Sequence, residues 1–164
     1  PQIDRDKSES LTEEEYEFYR GLFDQAQNVT MAVKPGGKGD ITERAVQWQF
    51  DKFVPFCASP ILVGDYLFTI KDGGILTCLE AASGKPQKTA RVPGTGSYYA
   101  SPVAGDGKIY LCNQPGEVTV VDPQGQWEVL SEADFGEEIY ATPARAAGRI
   151  YLRTTGHLYC LGEK

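Results

Sequence analysis

The sequence predicts an all-β chain: an incomplete β-propeller of four-stranded antiparallel blades, two full and two partial, with one short N-terminal α-helix. A motif of the form x-Ala-Ser/Thr-Pro occurs three times, with prolines at 60, 102 and 143 that lie 42 and 41 residues apart. Each copy precedes short β-branched and aromatic segments separated by glycine turns. A sheet of this size cannot cover both of its own faces, so the repeated sheets must stack around an axis.

The composition is that of a globular protein and excludes several classes of function. Of the 164 residues 41% are hydrophobic, and the formal net charge is −7. No stretch reaches the roughly 20 apolar residues of a membrane-spanning helix, so we expect no direct membrane span. The acidic balance lacks the clustered basic face of nucleic-acid-binding proteins, so we expect no nucleic-acid partner. The chain opens on Pro1 without a signal-peptide pattern, and we expect it to be a piece of a longer protein.

Residues 1–28 resemble the loop and departing helix of a calcium-binding EF-hand. A hard cation must collect about six or seven oxygens from one turn, and oxygen-bearing residues fall at that spacing between positions 4 and 15. The predicted calcium ligands are Asp4, Asp6, Ser8, Ser10, Thr12 and Glu15. Glu9 occupies the position where the sharp turn favours glycine. A second interpretation stays open, in which Thr12 and Glu15 form the capping box of a helix that begins near Thr12.

Residues 29–164 divide into the predicted blades. A partial first blade spans 29–51, two full blades span about 58–92 and 99–130, and the last unit spans 139–164 and ends after its third strand. Helical repeats of similar period are excluded, because strand alternation dominates these segments. The partial blades leave unpaired strand edges, and we expect self-association through these open edges unless the helix covers one of them.

The repeat unit has a recognisable consensus. Ser/Thr-Pro is followed by Gly-x-x-Tyr-Leu and then by Gly-x-Leu-x-Cys-Leu, with a further glycine before the fourth strand. The turn into that strand and its tryptophan fall at Trp48, at Gly84-Lys85 and at Gly125-Gln126-Trp127, and the tryptophan is missing at Pro86-Gln87. Over residues 30–164 this pattern resembles the repeat of the pyrroloquinoline-quinone-type (PQQ-like) β-propeller family.

The resemblance implies a rigid scaffold and a periplasmic or secreted location. Proteins with this repeat include quinoprotein dehydrogenases, the propeller lipoprotein of the outer-membrane β-barrel assembly machinery and many secreted bacterial proteins. The dehydrogenases use a central calcium, a catalytic aspartate and often a vicinal cysteine pair, and this sequence has no Cys-Cys. We therefore expect no PQQ, no other cofactor and no catalytic residue, with calcium as the one candidate ligand.

The predicted function is a non-catalytic protein-binding or scaffolding surface in a bacterial envelope or secreted protein. Its partner is either another protein or the remaining blades of a parent chain. The candidate interaction residues are aromatic side chains in equivalent loops before the first strands, namely Phe53, Phe56, Tyr98, Tyr99 and Tyr140. Packing of some of them between blades is the open alternative. Two other functions stay open: part of a quinoprotein-type dehydrogenase whose active site lies in missing blades, and a calcium-stabilised structural module.

The four cysteines and the single histidine follow no metal-ligand spacing. We expect Cys57, Cys78, Cys112 and Cys160 to be free and buried, and a disulfide that involves Cys57 or Cys112 is the alternative. His157 follows a glycine in a turn, where a hydrogen-bonded or solvated histidine is ordinary.

Overall fold

The computed structural model describes residues 8, 10–25 and 27–162. In this part of the chain two helices and thirteen strands follow one another. The strands form four antiparallel sheets of two, four, four and three strands in chain order. This count matches the prediction of two full and two partial blades.

The N-terminal helix α1 spans Glu13–Gln25 and begins with a capping box. The Thr12 backbone N–H donates to Glu15 Oε2 at 3.1 Å, and the Glu15 N–H donates to Thr12 Oγ1 at 3.3 Å. The Thr12 hydroxyl donates to the same carboxylate oxygen at 2.9 Å. The capping interpretation of Thr12 and Glu15 is therefore confirmed.

The first sheet is a ribbon of β1 (Thr30–Val33) and β2 (Val46–Phe50). A short helix α2 (Thr42–Ala45) lies between these two strands. The Asp40 carboxylate accepts hydrogen bonds from the Thr42 backbone N–H at 2.9 Å and from the Thr42 hydroxyl at 2.7 Å. These two bonds hold the chain in the turn from which α2 begins.

The second and third sheets are complete four-stranded meanders with the orders β3-β4-β5-β6 and β7-β8-β9-β10. Their strands are β3 (Ile61–Val63), β4 (Tyr66–Lys71), β5 (Ile75–Glu80), β6 (Pro86–Arg91), β7 (Val103–Gly105), β8 (Lys108–Cys112), β9 (Glu117–Val121) and β10 (Val129–Asp134). The third sheet thus extends to Asp134, beyond the predicted blade end at 130.

The fourth sheet has three strands, β11 (Ala144–Ala146), β12 (Arg149–Arg153) and β13 (Leu158–Leu161). Within the described residues β13 pairs only with β12, and β1 pairs only with β2. The edges of β1 and β13 at which a four-stranded blade would continue are therefore open in this part of the chain, as the sequence predicts. The self-association expected from them stays a prediction.

The core lies between the sheets and not within any one of them. The second sheet buries Phe68, Ile70, Leu76 and Cys78 against residues of the third sheet, which include Ile109, Leu111, Val121 and Trp127. The third sheet packs against the fourth through Cys112, Val118, Ile139 and Leu152. Strand alternation explains this arrangement, because each inner strand sends alternate side chains to the sheet before it and to the sheet after it.

The repeated Ser/Thr-Pro motif links the sheets through a ladder of hydrogen bonds. The Ser59 backbone N–H donates to Ser101 Oγ, and the Ser101 N–H donates to Thr142 Oγ1, both at 2.9 Å. Each hydroxyl therefore accepts from the equivalent residue of the preceding repeat. The motif recurs because both its hydroxyl and its backbone take part in joining successive sheets.

Contacts at the opposite end join the sheets through aromatic rings. Trp48 Nε1 donates to the Ala81 carbonyl at 2.9 Å, and a Cβ at Gly84 would lie 2.5 Å from Trp48 Cδ2. At the next interface Lys88 lies over the Trp127 ring, with Nζ 4.2 Å from the centroid, and donates to the Trp127 carbonyl at 2.6 Å. The blade that lacks its own tryptophan thus contacts the tryptophan of the next one.

Candidate functional surface

The loops that precede the first strands meet the turns between second and third strands at one end of the sheets. The Tyr98 N–H donates to Asp72 Oδ1 at 2.7 Å, and the Gln114 N–H donates to the Ser97 carbonyl at 2.8 Å. We call this end the loop end, and it comprises the loops 51–60, 92–102 and 135–143 with the turns 72–74, 113–116 and 154–156. These two bonds fix the loop 92–102 against the second sheet on one side and the third sheet on the other.

Two of the predicted aromatic residues meet at the loop end. The rings of Tyr99 and Tyr140 stack with centroids 5.6 Å apart and an interplanar angle of 29°. Tyr99 is 44% exposed and Tyr140 is 48% exposed. The structure therefore brings together side chains from loops that are 41 residues apart in the sequence and leaves nearly half of each in solvent.

Two further predicted residues lie in the first of the equivalent loops and are also exposed. Phe56 is exposed at 73%, and Lys71 Nζ lies 5.5 Å from the centroid of its ring. Phe53 is exposed as well and adopts a positive φ of 51°. Among the described residues no aromatic ring stacks on either phenylalanine as Tyr140 does on Tyr99.

The prediction of Tyr98 as a surface residue is wrong, because its side chain is 3% exposed and packs between the second and third sheets. Adjacent residues of an extended chain point to opposite sides, so Tyr98 and Tyr99 cannot both face solvent here. Burial, together with the nearby charge of Glu117, raises the pKa of Tyr98 to about 12. The open alternative of packing between blades is therefore the correct one at this position.

A polar network that the sequence analysis did not single out supports the tyrosine pair. Gln114 Nε2 donates to the Tyr140 hydroxyl and to Glu138 Oε1, both at 3.0 Å. Gln114 lies in the turn after β8, so this side chain joins the turn of one repeat to the loop before the next. The sequence does contain a sign of this network: Glu138 and Tyr140 flank the apolar Ile139. Such alternation in an extended loop predicts that the two polar side chains lie on the same side.

Glu137 clamps the same loop onto the last sheet. Its carboxylate accepts hydrogen bonds from the Thr154 hydroxyl at 2.5 Å, from the Gly156 N–H at 3.0 Å and from His157 Nδ1 at 2.8 Å. The Thr154 hydrogen bond, followed by those of Gly156 and His157, lowers the pKa of the Glu137 carboxyl. His157 is thus a hydrogen-bonded turn residue, in agreement with the sequence-based expectation.

The predicted calcium loop lies partly outside the described residues, because Asp4 and Asp6 belong to the part that the structure does not describe. Of the other predicted ligands, Ser8 donates from its hydroxyl to the Ser10 carbonyl at 3.1 Å, and Glu15 accepts the capping bonds from Thr12. Among residues 8, 10–25 and 27–162 no cluster of three metal-binding side chains occurs. Calcium binding stays a prediction.

The cysteines are free, but only two of them are buried. Cys78 and Cys112 lie in the core, where burial raises their pKa values to about 11 and about 12. Cys57 and Cys160 are exposed, so the expectation of four buried thiols is wrong for these two. Cys160 shares its strand position with Cys78, and the difference arises because no sheet in the described chain covers the outer face of the fourth sheet.

The helices of the described chain are too short or too polar for any of them to cross a lipid bilayer. No protein-family model matches the chain, and no curated protein sequence matches it either.

Solved structures resemble the chain in fold. BamB from Moraxella catarrhalis superimposes with a TM-score of 0.55 and 18% identity over 67% of this chain and 34% of its own. The computationally designed Ika8 protein does so with a TM-score of 0.59 and 11% identity over 82% of this chain and 42% of its own. The chain is an incomplete β-propeller. The predicted fold class is therefore confirmed.

A third solved structure shows a weaker likeness. The quinohemoprotein alcohol dehydrogenase ADHIIG from Pseudomonas putida HK5 gives a TM-score of 0.48 at 16% identity, over 79% of this chain and 19% of its own. The chain thus spans less than half the length of each of these three proteins.

Proposed function

We propose that this chain is a non-catalytic section of a PQQ-like propeller whose loop end binds another protein, in the bacterial periplasm or outside the cell. The observation that carries this proposal is the stacked pair Tyr99 and Tyr140, nearly half exposed at the meeting point of two equivalent loops. Tyrosine is enriched at protein interfaces, because it offers a large apolar area with a polar tip at a low cost in side-chain entropy. Phe56, exposed at 73%, adds apolar area in the preceding loop.

The loop end is also held in place before any partner arrives. The Thr155 N–H donates to the Glu138 carbonyl at 3.0 Å, and the Ile139 N–H donates to the Gln114 carbonyl at 3.0 Å. Loops fixed in this way lose little conformational entropy on binding, which favours affinity. The periplasmic or secreted location rests on the resemblance of the repeat.

Site-specific photo-crosslinking tests the proposal in cells that make the protein. A photoreactive phenylalanine at Phe56 probes the loop end, and the same residue at exposed Lys85, in the turn at the other end of the second sheet, is the matched control. We expect a discrete crosslinked partner from position 56 and none from position 85. We further expect Tyr99→Ser/Tyr140→Ser to abolish this adduct while the far-ultraviolet circular dichroism stays unchanged.

Two results would overturn the proposal. One is the same set of adducts from both positions, which indicates non-specific encounter. The other is an adduct from position 56 that persists without the two tyrosines, which would place the binding energy elsewhere on the chain.

A further inference from the structure

We propose that the loop end captures a single basic side chain of its partner, a lysine or an arginine, between the stacked tyrosines and the carboxylate of Glu138. This inference rests on the proposed function, because it names the chemistry of the partner at the same surface. It follows from the placement of one carboxylate, from the exposed ring faces and from the surrounding charge.

The Glu138 carboxylate is fixed beside the tyrosine pair. Gln114 Nε2 donates to Glu138 Oε1 and to the Tyr140 hydroxyl, each at 3.0 Å. Because one nitrogen makes both bonds, the carboxylate and phenol oxygens lie within about 6 Å of each other. Ile139 between them is fully buried, so alternation sends Glu138 and Tyr140 to the same solvent side. The second carboxylate oxygen accepts no hydrogen bond from the described chain and can accept one from a partner.

The exposed parts of the Tyr99 and Tyr140 rings suit a cation. A lysine or arginine within about 6 Å of an aromatic centroid is attracted by the ring quadrupole. The chain already makes this contact twice, with Lys71 over Phe56 at 5.5 Å and Lys88 over Trp127 at 4.2 Å. Tyr99 and Tyr140 stack on each other, and no lysine or arginine of the described chain lies over either ring. A partner side chain can therefore take this place.

The charges around the site restrict how many basic groups fit. The chain carries a net charge of −7, which favours a basic partner at long range. A pocket of about 270 Å³ is lined by Glu138 and Tyr140 together with Ala141, Arg153, Thr154 and Thr155. The guanidinium of Arg153 repels every cation in this pocket, and each further basic side chain would add repulsion between the cations themselves. The arrangement thus fits one basic side chain and disfavours a run of them.

Nuclear magnetic resonance titration with defined peptides tests the inference. The probes are acetyl-Gly-Gly-Arg-Gly-Gly-amide and the same peptide with citrulline, which keeps the shape of arginine and lacks its charge. The readouts are the side-chain amide signals of Gln114 and the ring signals of Tyr99 and Tyr140. We expect saturable shifts with the arginine peptide and about tenfold weaker binding of the citrulline peptide.

Variants that remove one charge test whether each charged side chain favours or opposes binding of the arginine peptide. Glu138→Gln should weaken binding of the arginine peptide about twofold to fivefold, and Arg153→Gln should strengthen it about twofold to threefold. The matched control is Glu128→Gln, which removes the same charge from an exposed site after Trp127 at the other end of the sheets. It should change the affinity less than about twofold.

Equal affinity for the arginine and citrulline peptides would overturn the inference, as would shifts centred away from the tyrosine pair or no saturable shift up to about 10 mM peptide. These outcomes are separable from failure of the proposed function. A tyrosine-dependent crosslink without selectivity for the arginine peptide would support the protein-binding surface and exclude a basic side chain as its ligand. Selective binding of the arginine peptide without any crosslinked protein would support the cation site and contradict the proposed protein-binding function.

Discussion

Substitution of Gly84 by alanine tests how the first two sheets are joined. Gly84 has a φ of +70°, and an added Cβ would lie 2.5 Å from Trp48 Cδ2. Gly107 has the same φ of +70° but no atom within 4 Å of an added Cβ. The pair of variants therefore separates backbone strain, which both share, from loss of the tryptophan contact, which affects Gly84 alone.

The magnitudes follow from these contacts. Alanine in the left-handed region costs about 1 kcal/mol, and this is the whole effect expected for Gly107→Ala. In Gly84→Ala the indole must also leave its place, which loses the 2.9 Å bond to Ala81, worth about 1 kcal/mol. The lost burial of the ring adds about 1 kcal/mol more. We therefore expect the free energy of unfolding to fall by about 3 kcal/mol in Gly84→Ala and by about 1 kcal/mol in Gly107→Ala.

Urea unfolding followed by far-ultraviolet circular dichroism measures both changes, provided the slope with denaturant stays constant. In a Trp48→Ala background the cost of Gly84→Ala should fall to that of Gly107→Ala, because only strain is left. Equal destabilisation by the two single variants would refute the docking of Trp48 onto Gly84.

Three further predictions concern thiols, acid stability and calcium. A thiol reagent should modify Cys57 and Cys160 quickly and the two buried cysteines only on unfolding, and four fast-reacting thiols would contradict the packing between sheets. Glu137 has a lowered pKa in the folded chain, so its stabilisation is present above the ordinary value of 4.5 and is lost as the pH falls further. The free energy of unfolding of Glu137→Gln should accordingly depend less on pH below 4.5 than that of the wild type. The same pH dependence in both would contradict the hydrogen bonds of Glu137 to the last sheet. Calcium should raise the melting temperature of the wild type but not of Asp4→Ala, which leaves the helix cap intact, and an equal rise in both would exclude the loop.

Much of the fold follows from the repeated motif. The positions of Ser59, Ser101 and Thr142 set the register of the repeats, and the four sheets appear in the predicted order. The ladder that these residues form was not predictable, because a hydroxyl beside proline is equally compatible with local turn hydrogen bonds. Contacts between neighbouring sheets depend on three-dimensional placement, which the spacing of a motif does not contain.

The candidate surface shows the same division between pattern and placement. Phe56 and Tyr98 occupy equivalent positions, yet Phe56 is 73% exposed and Tyr98 is 3% exposed. The difference arises because Tyr98 packs between two full sheets, whereas the first sheet has only its two outer strands in the described chain. The second sheet lacks a tryptophan at Pro86-Gln87, and its Lys88 packs instead over Trp127 of the next repeat. These two residues are 39 positions apart in the sequence. A contact between residues of two different repeats, such as this one, cannot be recognised from a single sequence.

The most direct test of the central claim is the proximity of Tyr99 and Tyr140. Both proposals require these two rings to meet at one surface, and centroids 5.6 Å apart bring ring protons within range of a nuclear Overhauser effect. We expect cross-peaks between the two rings in the wild type and their loss in Tyr140→Ser. Absence of any cross-peak between assigned ring protons of Tyr99 and Tyr140 would contradict the stacked pair and, with it, the binding surface at the loop end.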